Sequence, residues 1–438
     1  METNATRMCA LIVGLPEVHV LGVEDEPAKP LRVHVETTKT VMGCAACGVR
    51  AWLKDQRPVT LADLAAFGRP AVLVWHKRRW RCPEPACQVA TFTEAQPAIA
   101  AARAGVTDRA GRWMCRQVGG GRPVSAVAAE LGCDWHTVMD AVVAYGTPLI
   151  EDPGRIGTVT ALGLDETLFV RTGAFKRRSW VTSIVDVSAP AKLLDVVEIR
   201  TAKAPTDWLV ARPQAWRDSI AWAALDMSGP YRKTFNDSLP DATQVADPFH
   251  VTKLANERLD DIRRRVQQDT IGHRGRKDDP LYRARRLLTK GHERLDERGN
   301  EKLLNLLEAG DPRGEVRMAW HAKETLRGLY DQSATEAPHY LAELVEALLD
   351  SDMPRELQQL GRTLRRWADQ IVAWHSAQVS NGPTEAMNSL IKKVNASGTG
   401  FAASGTTDSA FCSALANPTG VSWPRSPPPH PLEIRSAG

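Results

Sequence analysis

Two aspartates follow predicted strands, at positions where carboxylates can meet. Asp165 follows the apolar run Thr158–Leu164, and Asp226 follows the run Ser219–Leu225. Carboxylate oxygens are the ligands that Mg²⁺ prefers, and two such ions about 4 Å apart can activate a nucleophile and stabilise a leaving oxygen in phosphodiester chemistry. We therefore identify Asp165 and Asp226 as candidate catalytic ligands for Mg²⁺ or Mn²⁺.

Glu385 is the candidate third carboxylate. It lies in the first turn of a predicted helix that begins near Pro383, a residue suited to the first helical position. Glu385, Asn388 and Lys392 are spaced to share one face, where an acid, an amide and a cation can meet a metal ion and DNA phosphate. A surface helix whose glutamate interacts with the helix dipole explains the spacing at least as well. The opposite face is expected to be buried and contains Met387, Leu390, Ile391 and Val394.

The elements that must position these acids alternate along the chain. Between Thr158 and Ala246 the predicted order is strand, strand, strand, helix, strand, helix, strand. This is the order of the ribonuclease-H fold, in which the tips of the first and fourth strands lie side by side. We therefore predict an α+β, ribonuclease-H-like catalytic domain.

Asp247 and His250 directly follow the last predicted strand. Either Asp226 or Asp247 can be taken as the second acidic residue, and the strand order favours Asp226. Asp247 and His250 then become a nearby support or a phosphate contact. A histidine that is satisfied at the start of a helix explains His250 equally well.

Four of the cysteines form two pairs that are close in sequence. Cys44 and Cys47 form a CxxC knuckle, and Cys82 and Cys87 form a second pair with a wider gap. Four thiolates on two turns suit the tetrahedral geometry of Zn²⁺, and four unrelated buried thiols are the alternative. We predict a zinc ribbon that needs its metal for order. The basic residues beside the second pair suit either phosphate contact or a solvated strand edge, and they are Lys77, Arg78, Arg79 and Arg81.

A helix-turn-helix is predicted after the ribbon. Pro123–Gly132 is typical of a short helix that ends at glycine, and Asp134 can cap a second helix from Trp135 to Ala144. This pattern suits a DNA-binding unit, although a plain helical hairpin has it too. In a DNA-binding unit, three side chains of the second helix would face the major groove: His136, Thr137 and Asp140.

The long stretch between His250 and Glu385 has the apolar period of helices almost throughout. Basic residues cluster early in this stretch. We expect three of them to grip DNA, with solvated helix faces as the alternative, and these are Arg263, Arg264 and Arg265.

The amino-acid composition excludes several classes of protein. The 438 residues are 43% hydrophobic and 25% charged, which excludes a wholly disordered or collagen-like chain. A net charge of +4 permits nucleic-acid binding without requiring it. The apolar run Cys9–Leu15 is too short to span a bilayer, and we interpret it as a strand and not as a secretory signal. These features predict a cytoplasmic protein without a membrane partner.

Four motifs, in order, resemble those of bacterial insertion-sequence transposases of the ISL3 family. They are GLDET at 163–167, LDMSGPY at 225–231, VADPFHVTKLAN at 245–256 and SNGPTEAMN at 380–388. The cysteine ribbon and the helix-turn-helix resemble the N-terminus of that family too. The string from Asp247 to His250 resembles the Asp-x-x-His motif that follows the second catalytic acid in transposases with a helical insertion.

The resemblance implies a DDE transposase that binds the inverted repeats of its own element, cuts there and joins the ends to target DNA. It also implies an all-helical insertion within the catalytic domain and double-stranded DNA as the partner. Since two ends must be held together, we expect a homodimer on DNA, associated with the bacterial nucleoid. A degenerate or domesticated DNA-binding regulator without catalysis is the alternative.

The expected domain organisation follows. Residues 1–100 form the zinc ribbon, 101–150 the helix-turn-helix, 151–250 the first part of the catalytic domain, 251–380 the insertion and 381–400 the final catalytic helix. Residues 401–438 depart from the family pattern, and we interpret them as an irregular, frame-shifted tail.

Overall fold

The computed structural model describes residues 4–172, 177–198 and 201–397. The chain forms two compact units, one of residues 1–155 with 390–438 and one of residues 156–389. In the described ranges, no helix combines the length and the apolar character that a membrane crossing requires. The tail at 401–438 lies outside the described residues.

The first unit combines one sheet with helices. Its strands are β1 (Val18–Glu24), β2 (Leu31–Thr37), β3 (Trp52–Ala66), β4 (Arg69–Arg81) and β5 (Thr91–Thr93). Its helices are α1 (Ala5–Val13), α2 (Asp108–Gly119), α3 (Val124–Leu131) and α4 (Trp135–Ile150). The strand order is β1-β2-β4-β3, and β5 pairs with β4. The hairpin of β3 and β4 turns at Phe67 and Gly68, both with positive φ.

The prediction of a strand at Cys9–Leu15 is wrong, because this run up to Val13 belongs to α1. The side chain of Asn4 accepts a hydrogen bond from the Arg7 amide at the start of the helix. Gly14 ends the helix in the left-handed conformation, with φ +62°. These two caps fix the helix ends, and the run between them lacks the alternation of a half-buried strand.

The helix-turn-helix prediction is confirmed as a structure. α3 ends at Gly132, which has φ +65°, and the Asp134 side chain accepts the Thr137 amide at the start of α4. α4 continues past the predicted end to Ile150. α2 packs on α4 where Gly111 lies against the ring of Tyr145.

The second unit contains a five-stranded sheet in the predicted order. Its elements up to the last strand are β6 (Ala161–Thr172), β7 (Arg177–Asp186), β8 (Lys192–Glu198), α5 (Lys203–Val210), α6 (Gln214–Asp218), β9 (Trp222–Leu225), α7 (Gly229–Ser238) and β10 (Thr243–Ala246). The strand order is β10-β9-β6-β7-β8. β6, β7 and β8 are antiparallel neighbours, whereas β9 runs parallel to β6 and β10 parallel to β9. This topology is ribonuclease-H-like.

The first strand of this sheet differs from the prediction at both ends. It covers Ala161–Thr172, so Asp165 lies within β6 and not after it. β6 extends because it pairs with β7 through Thr172, whereas its pairing with β9 covers only Ala161–Gly163. Asp165 therefore lies just past the point where the strand loses one neighbour.

Helices fill the stretch between the last strand and Glu385, as predicted. They are α8 (Pro248–Ile271), α9 (Pro280–Leu288), α10 (Glu297–Gly310), α11 (Glu315–Gly328), α12 (Ala337–Leu349), α13 (Arg355–Arg366) and α14 (Ala368–Ala377), and α15 (Gly382–Ser397) follows them. Their buried apolar side chains are continuous with those of the sheet, from Leu162 to Ile371. The insertion and the sheet therefore share one core.

The contact at Gly111 gives a stability prediction. A Cβ atom there would lie 2.2 Å from Cε2 of Tyr145, whose hydroxyl donates to Asp108. We expect Gly111→Ala to lower the free energy of unfolding by about 1–3 kcal/mol in urea denaturation, because overpacking outweighs the gain in helix propensity. Gly105→Ala is the control, since nothing lies within 4 Å of its added Cβ. Equal effects of the two substitutions would contradict this account.

Candidate functional site

The four predicted zinc ligands lie together in the first unit. The Sγ atoms of Cys44 and Cys87 are 3.8 Å apart, and those of Cys47 and Cys82 are 3.5 Å apart. All four sulfur atoms lie within 4.8 Å of one another. Four thiolates with Zn–S bonds of about 2.3 Å would stand about 3.8 Å apart on a tetrahedron, so the donor set and its spacing fit Zn²⁺.

Backbone amides near Cys44 favour the form of the thiol that binds metal. The N–H groups of Ala46 and Cys47 lower the pKa of Cys44 to about 7. The thiolate is the metal-binding form of cysteine, so part of the electrostatic environment for a structural ion is built into the knuckle.

The second helix of the helix-turn-helix leaves its predicted DNA-facing residues accessible to different degrees. His136 and Asp140 are exposed, and Thr137 is half-buried. The hydroxyl of Thr137 donates to the carboxylate of Asp134, which also caps the helix. His136 and Asp140 are therefore the freer of the three to meet a base edge.

Strand register makes Asp165 and Asp226 neighbours in the second unit. β6 and β9 are parallel with Gly163 opposite Ala224, so two residues further along each strand brings the two aspartates to the same level. Burial raises the pKa of both carboxyls, and the charge of Asp165 raises that of Asp226 further. Two half-buried like charges are thus held together, which is costly unless a cation joins them.

Asp226 shows two signs of an ion site. Its Oδ1 atom is buried and, among the described residues, has no hydrogen-bond partner. The next residue, Met227, has φ +62°, a strained conformation for a non-glycine residue. A buried carboxylate oxygen without a donor is costly, and a divalent cation with a preference for oxygen would satisfy it.

His250 links two further acids. Its Nδ1 atom lies 3.0 Å from Oδ2 of Asp247, and its Nε2 atom lies 3.6 Å from Oε1 of Glu385. The hydrogen bond with Asp247 raises the pKa of His250. One ligand atom of each of these three residues lies within 4.8 Å of the others, so this trio is a second possible metal-binding group.

α15 lies close to β6 because Gly163 has no side chain. A Cβ atom on Gly163 would stand 2.5 Å from the hydroxyl oxygen of Thr384 and 2.7 Å from Oδ1 of Asn381. The side-chain amide of Asn381 donates to the carbonyl of Leu164 at 3.2 Å. The helix that contains Glu385 is thereby fixed beside the strand that contains Asp165.

The prediction of which face α15 buries is wrong. Leu390, predicted to be buried, is 39% exposed, whereas Asn388 is only 4% exposed. The helix packs through polar side chains, and Asn388 has hydrogen-bond partners in the sheet. The hydroxyl of Thr384 lies against Gly163 and, among the described residues, has no hydrogen-bond partner. Ile391 is buried as predicted, Met387 is half-buried, and the side chain of Val394 lies outside the described residues.

Asn388 is not placed as a DNA contact, contrary to the prediction. Its Nδ2 atom donates to Oδ2 of Asp165 at 2.8 Å, and its Oδ1 atom accepts from the hydroxyl of Ser183 at 2.8 Å. Both ends of the side-chain amide are therefore hydrogen-bonded, one of them to Asp165. The sequence contained no signal for Ser183, because it is one polar residue inside a strand. Lys392 is exposed, and Glu385 is half-buried.

The structure separates the three predicted DNA-gripping arginines. Arg263 is 5% exposed and donates to Asp260 and Gln267. Arg265 donates to Glu315 and Glu356. Both guanidinium groups are thus internal to the insertion, and the prediction that they grip DNA is corrected because their donors are already used.

Arg264 differs from its two neighbours. Its side chain is 52% exposed, although it forms an ion pair with Asp260. An exposed ion pair of this kind contributes little to stability, so Arg264 can exchange its partner for a phosphate.

Loss of a zinc ligand gives a second prediction. We expect Cys82→Ser to bring the zinc content of the full chain below one ion and to lower the midpoint of thermal unfolding of the first unit by about 5–10 °C, because metal binding contributes to folding. Cys133→Ser is the control, since this thiol lies outside the cluster. A Cys82→Ser protein with full zinc content and unchanged midpoint would contradict the site.

The hydrogen bond between Asn388 and Asp165 gives a third prediction. Asn388→Ala should weaken Mn²⁺ binding about 10-fold, because residues that orient a metal ligand typically contribute that much. The measurement is a Mn²⁺ titration, and Ser389→Ala on the exposed side of α15 is the control. Equal Mn²⁺ affinity in the Asn388→Ala protein, with native stability, would rule out this role.

Comparison with known proteins covers all three predicted regions. Residues 162–405 match the family model of the ISL3 transposases, described as a transposase. Residues 40–87 match the zinc finger of the transposases of IS204, IS1001, IS1096 and IS1165, and residues 95–146 match the helix-turn-helix domain of transposase family ISL3. The match to a zinc finger, together with the four-cysteine cluster, supports a structural zinc ion.

A curated relative of the chain is also a transposase. The chain is 27% identical over 312 residues to the transposase for insertion sequence element IS1001 of Bordetella parapertussis, an alignment that covers 68% of this chain and 72% of the relative. The transposase match alone spans more than half of the chain. The chain therefore belongs to the ISL3 family of insertion-sequence transposases and is a DNA transposase with a helix-turn-helix DNA-binding domain.

Proposed function

We propose that Asp165, Asp226 and Glu385 are the catalytic triad of this transposase and that they hold Mg²⁺ or Mn²⁺. The reaction we assign is hydrolysis of a phosphodiester at the element end, followed by attack of the freed 3′ hydroxyl on target DNA. The observation that carries the proposal is the buried Oδ1 atom of Asp226, which has no hydrogen-bond partner among the described residues and stands beside the half-buried carboxyl of Asp165. A transposase that cleaves DNA needs a site of this chemistry, since such ions when bound supply an activated nucleophile and stabilise the leaving oxygen.

The neighbouring side chains position this triad. Asn388 holds one oxygen of Asp165, while the Glu166 amide donates to the other at 2.7 Å. Asp247 holds His250 in a fixed ring orientation at the side of Glu385. The raised pKa of His250 favours the protonated ring. A protonated ring can donate a hydrogen bond to a phosphate oxygen of the DNA.

The proposed DNA contacts lie in both units. His136, Thr137 and Asp140 would meet base edges of the terminal repeat from α4. Arg264 and Lys392, both exposed, would meet phosphates near the cleavage site. We further propose that two copies act together on the paired ends, at the bacterial nucleoid.

Two aspartate substitutions separate the alternatives for the second acid. We expect Asp226→Asn to reduce cleavage of DNA that carries the element's own end at least about 100-fold, because a lost ligand removes several kcal/mol of metal assistance. Asp247→Asn should reduce cleavage only about 10-fold, because this residue acts through His250. The measurement is strand cleavage in Mg²⁺ or Mn²⁺, with end binding measured in parallel.

Each outcome assigns a role. If Asp247→Asn is the more damaging of the two, Asp247 replaces Asp226 as the second ligand. If the wild-type protein binds the end and never cuts, the chain is a DNA-binding remnant or regulator, and the catalytic proposal is wrong. Equal end binding by all variants is the control that separates catalysis from DNA affinity.

A further inference from the structure

Four cations share one face of the first unit's sheet, at the end that contains the cysteine cluster. Residues at every second position of β4 lie on one face, which places Lys77, Arg79 and Arg81 together. On β3, Arg57 is the direct cross-strand partner of Lys77. We refer to Arg57, Lys77, Arg79 and Arg81 as the basic face.

The fold does not use the basic face for its own stability in the way that it uses Arg78. Arg78 lies on the opposite face, is buried, and donates to Thr37 and Glu36. By contrast, Arg57 and Arg81 are exposed, and Arg79 lies 3.5 Å from the carboxylate of Asp55.

Cross-strand pairing of Arg57 with Lys77 is unfavourable in itself. Like charges directly opposite each other destabilise a sheet, and an anion between them would reverse the sign of that interaction. Lys77 also stands 4.3 Å above the ring of Trp75, which holds the ammonium group in place. The buried Glu94 is a nearby acid, but it already accepts from Thr37 and from the Arg78 amide.

Three of the four cations of the basic face line a depression that also contains aromatic and hydroxyl groups. Arg57, Lys77 and Arg79 form one side of it, and Thr91, Phe92 and Thr93 of β5 form the other. Cations, hydroxyls and one aromatic ring are the groups that contact the sugar-phosphate backbone of nucleic acids.

The other half of the same sheet face is covered by protein. There Leu61 and Leu73 pack with Ile99 in a buried apolar cluster. The change from apolar to cationic residues along one face therefore marks where the chain's own core ends and an exposed surface begins.

We propose that the basic face binds the phosphate backbone of double-stranded DNA and is a second DNA contact of the first unit, separate from the helix-turn-helix. It adds affinity without sequence preference, while α4 supplies the preference. The inference rests on the family's DNA binding and does not depend on the catalytic carboxylates.

The test measures how salt weakens binding of the full chain to a fluorescent random-sequence duplex without Mg²⁺. Each phosphate contact contributes about 0.9 to the slope of log K against log salt. The triple substitution Arg57→Gln, Lys77→Gln, Arg79→Gln should therefore reduce the slope by about 2.7. Arg57→Gln alone should reduce it by about 0.9, and this exposed substitution keeps the test valid if the triple variant loses zinc.

The matched control removes the same charge from the same unit through Lys29→Gln, Arg32→Gln and Lys39→Gln. This variant should change the slope by less than about 1. An unchanged slope in the Arg57→Gln variant, or an equal loss in the control, would overturn the proposal. Because Mg²⁺ is left out, failure here is distinct from failure of the cleavage proposal. His136→Ala should reduce preference for the element end and leave the slope unchanged.

Discussion

The parallel pairing of β6 with β9 is the constraint on which the catalytic proposal depends. Pairing of the two strands stops at Gly163 and Ala224. Two residues further on, each of these segments reaches an aspartate at the same level. This register brings the two carboxyls to one level of the sheet. Burial raises the pKa of each, and the charge of Asp165 raises that of Asp226 further. One oxygen of Asp226 has no donor among the described residues, and the proposed divalent cation would satisfy it and offset the repulsion of the pair.

The third acid depends on a helix that packs in an unusual way. Asn381, directly before α15, and Thr384 and Asn388 within it contact the strands. Gly163 provides the space for Asn381 and Thr384. Polar packing of this kind is costly where a group lacks a partner, and among the described residues Oδ1 of Asn381 and the hydroxyl of Thr384 have none. The same contact that fixes the helix also orients Asp165, so the position of Glu385 and the geometry of Asp165 are coupled.

The sequence predicted those features that local patterns determine. Cysteine spacing and helix caps are local, so the four-cysteine cluster and the helix-turn-helix were predicted before the fold. Asp165 was predicted to follow a strand but lies within β6, because pairing with β7 extends that strand. The buried face of α15 was not, because spacing shows which residues share a face but not which face meets the sheet. Likewise, three adjacent arginines looked alike in sequence, and only tertiary packing separates the internal Arg263 from the exposed Arg264.

The most direct test of the central claim is to locate the bound ion. Crystals of the full chain soaked in Mn²⁺ can be examined for anomalous scattering from manganese. The account predicts a Mn²⁺ ion within about 2.3 Å of carboxylate oxygens from both Asp165 and Asp226. An ion bound only among Asp247, His250 and Glu385, with none between the two strand aspartates, would contradict it.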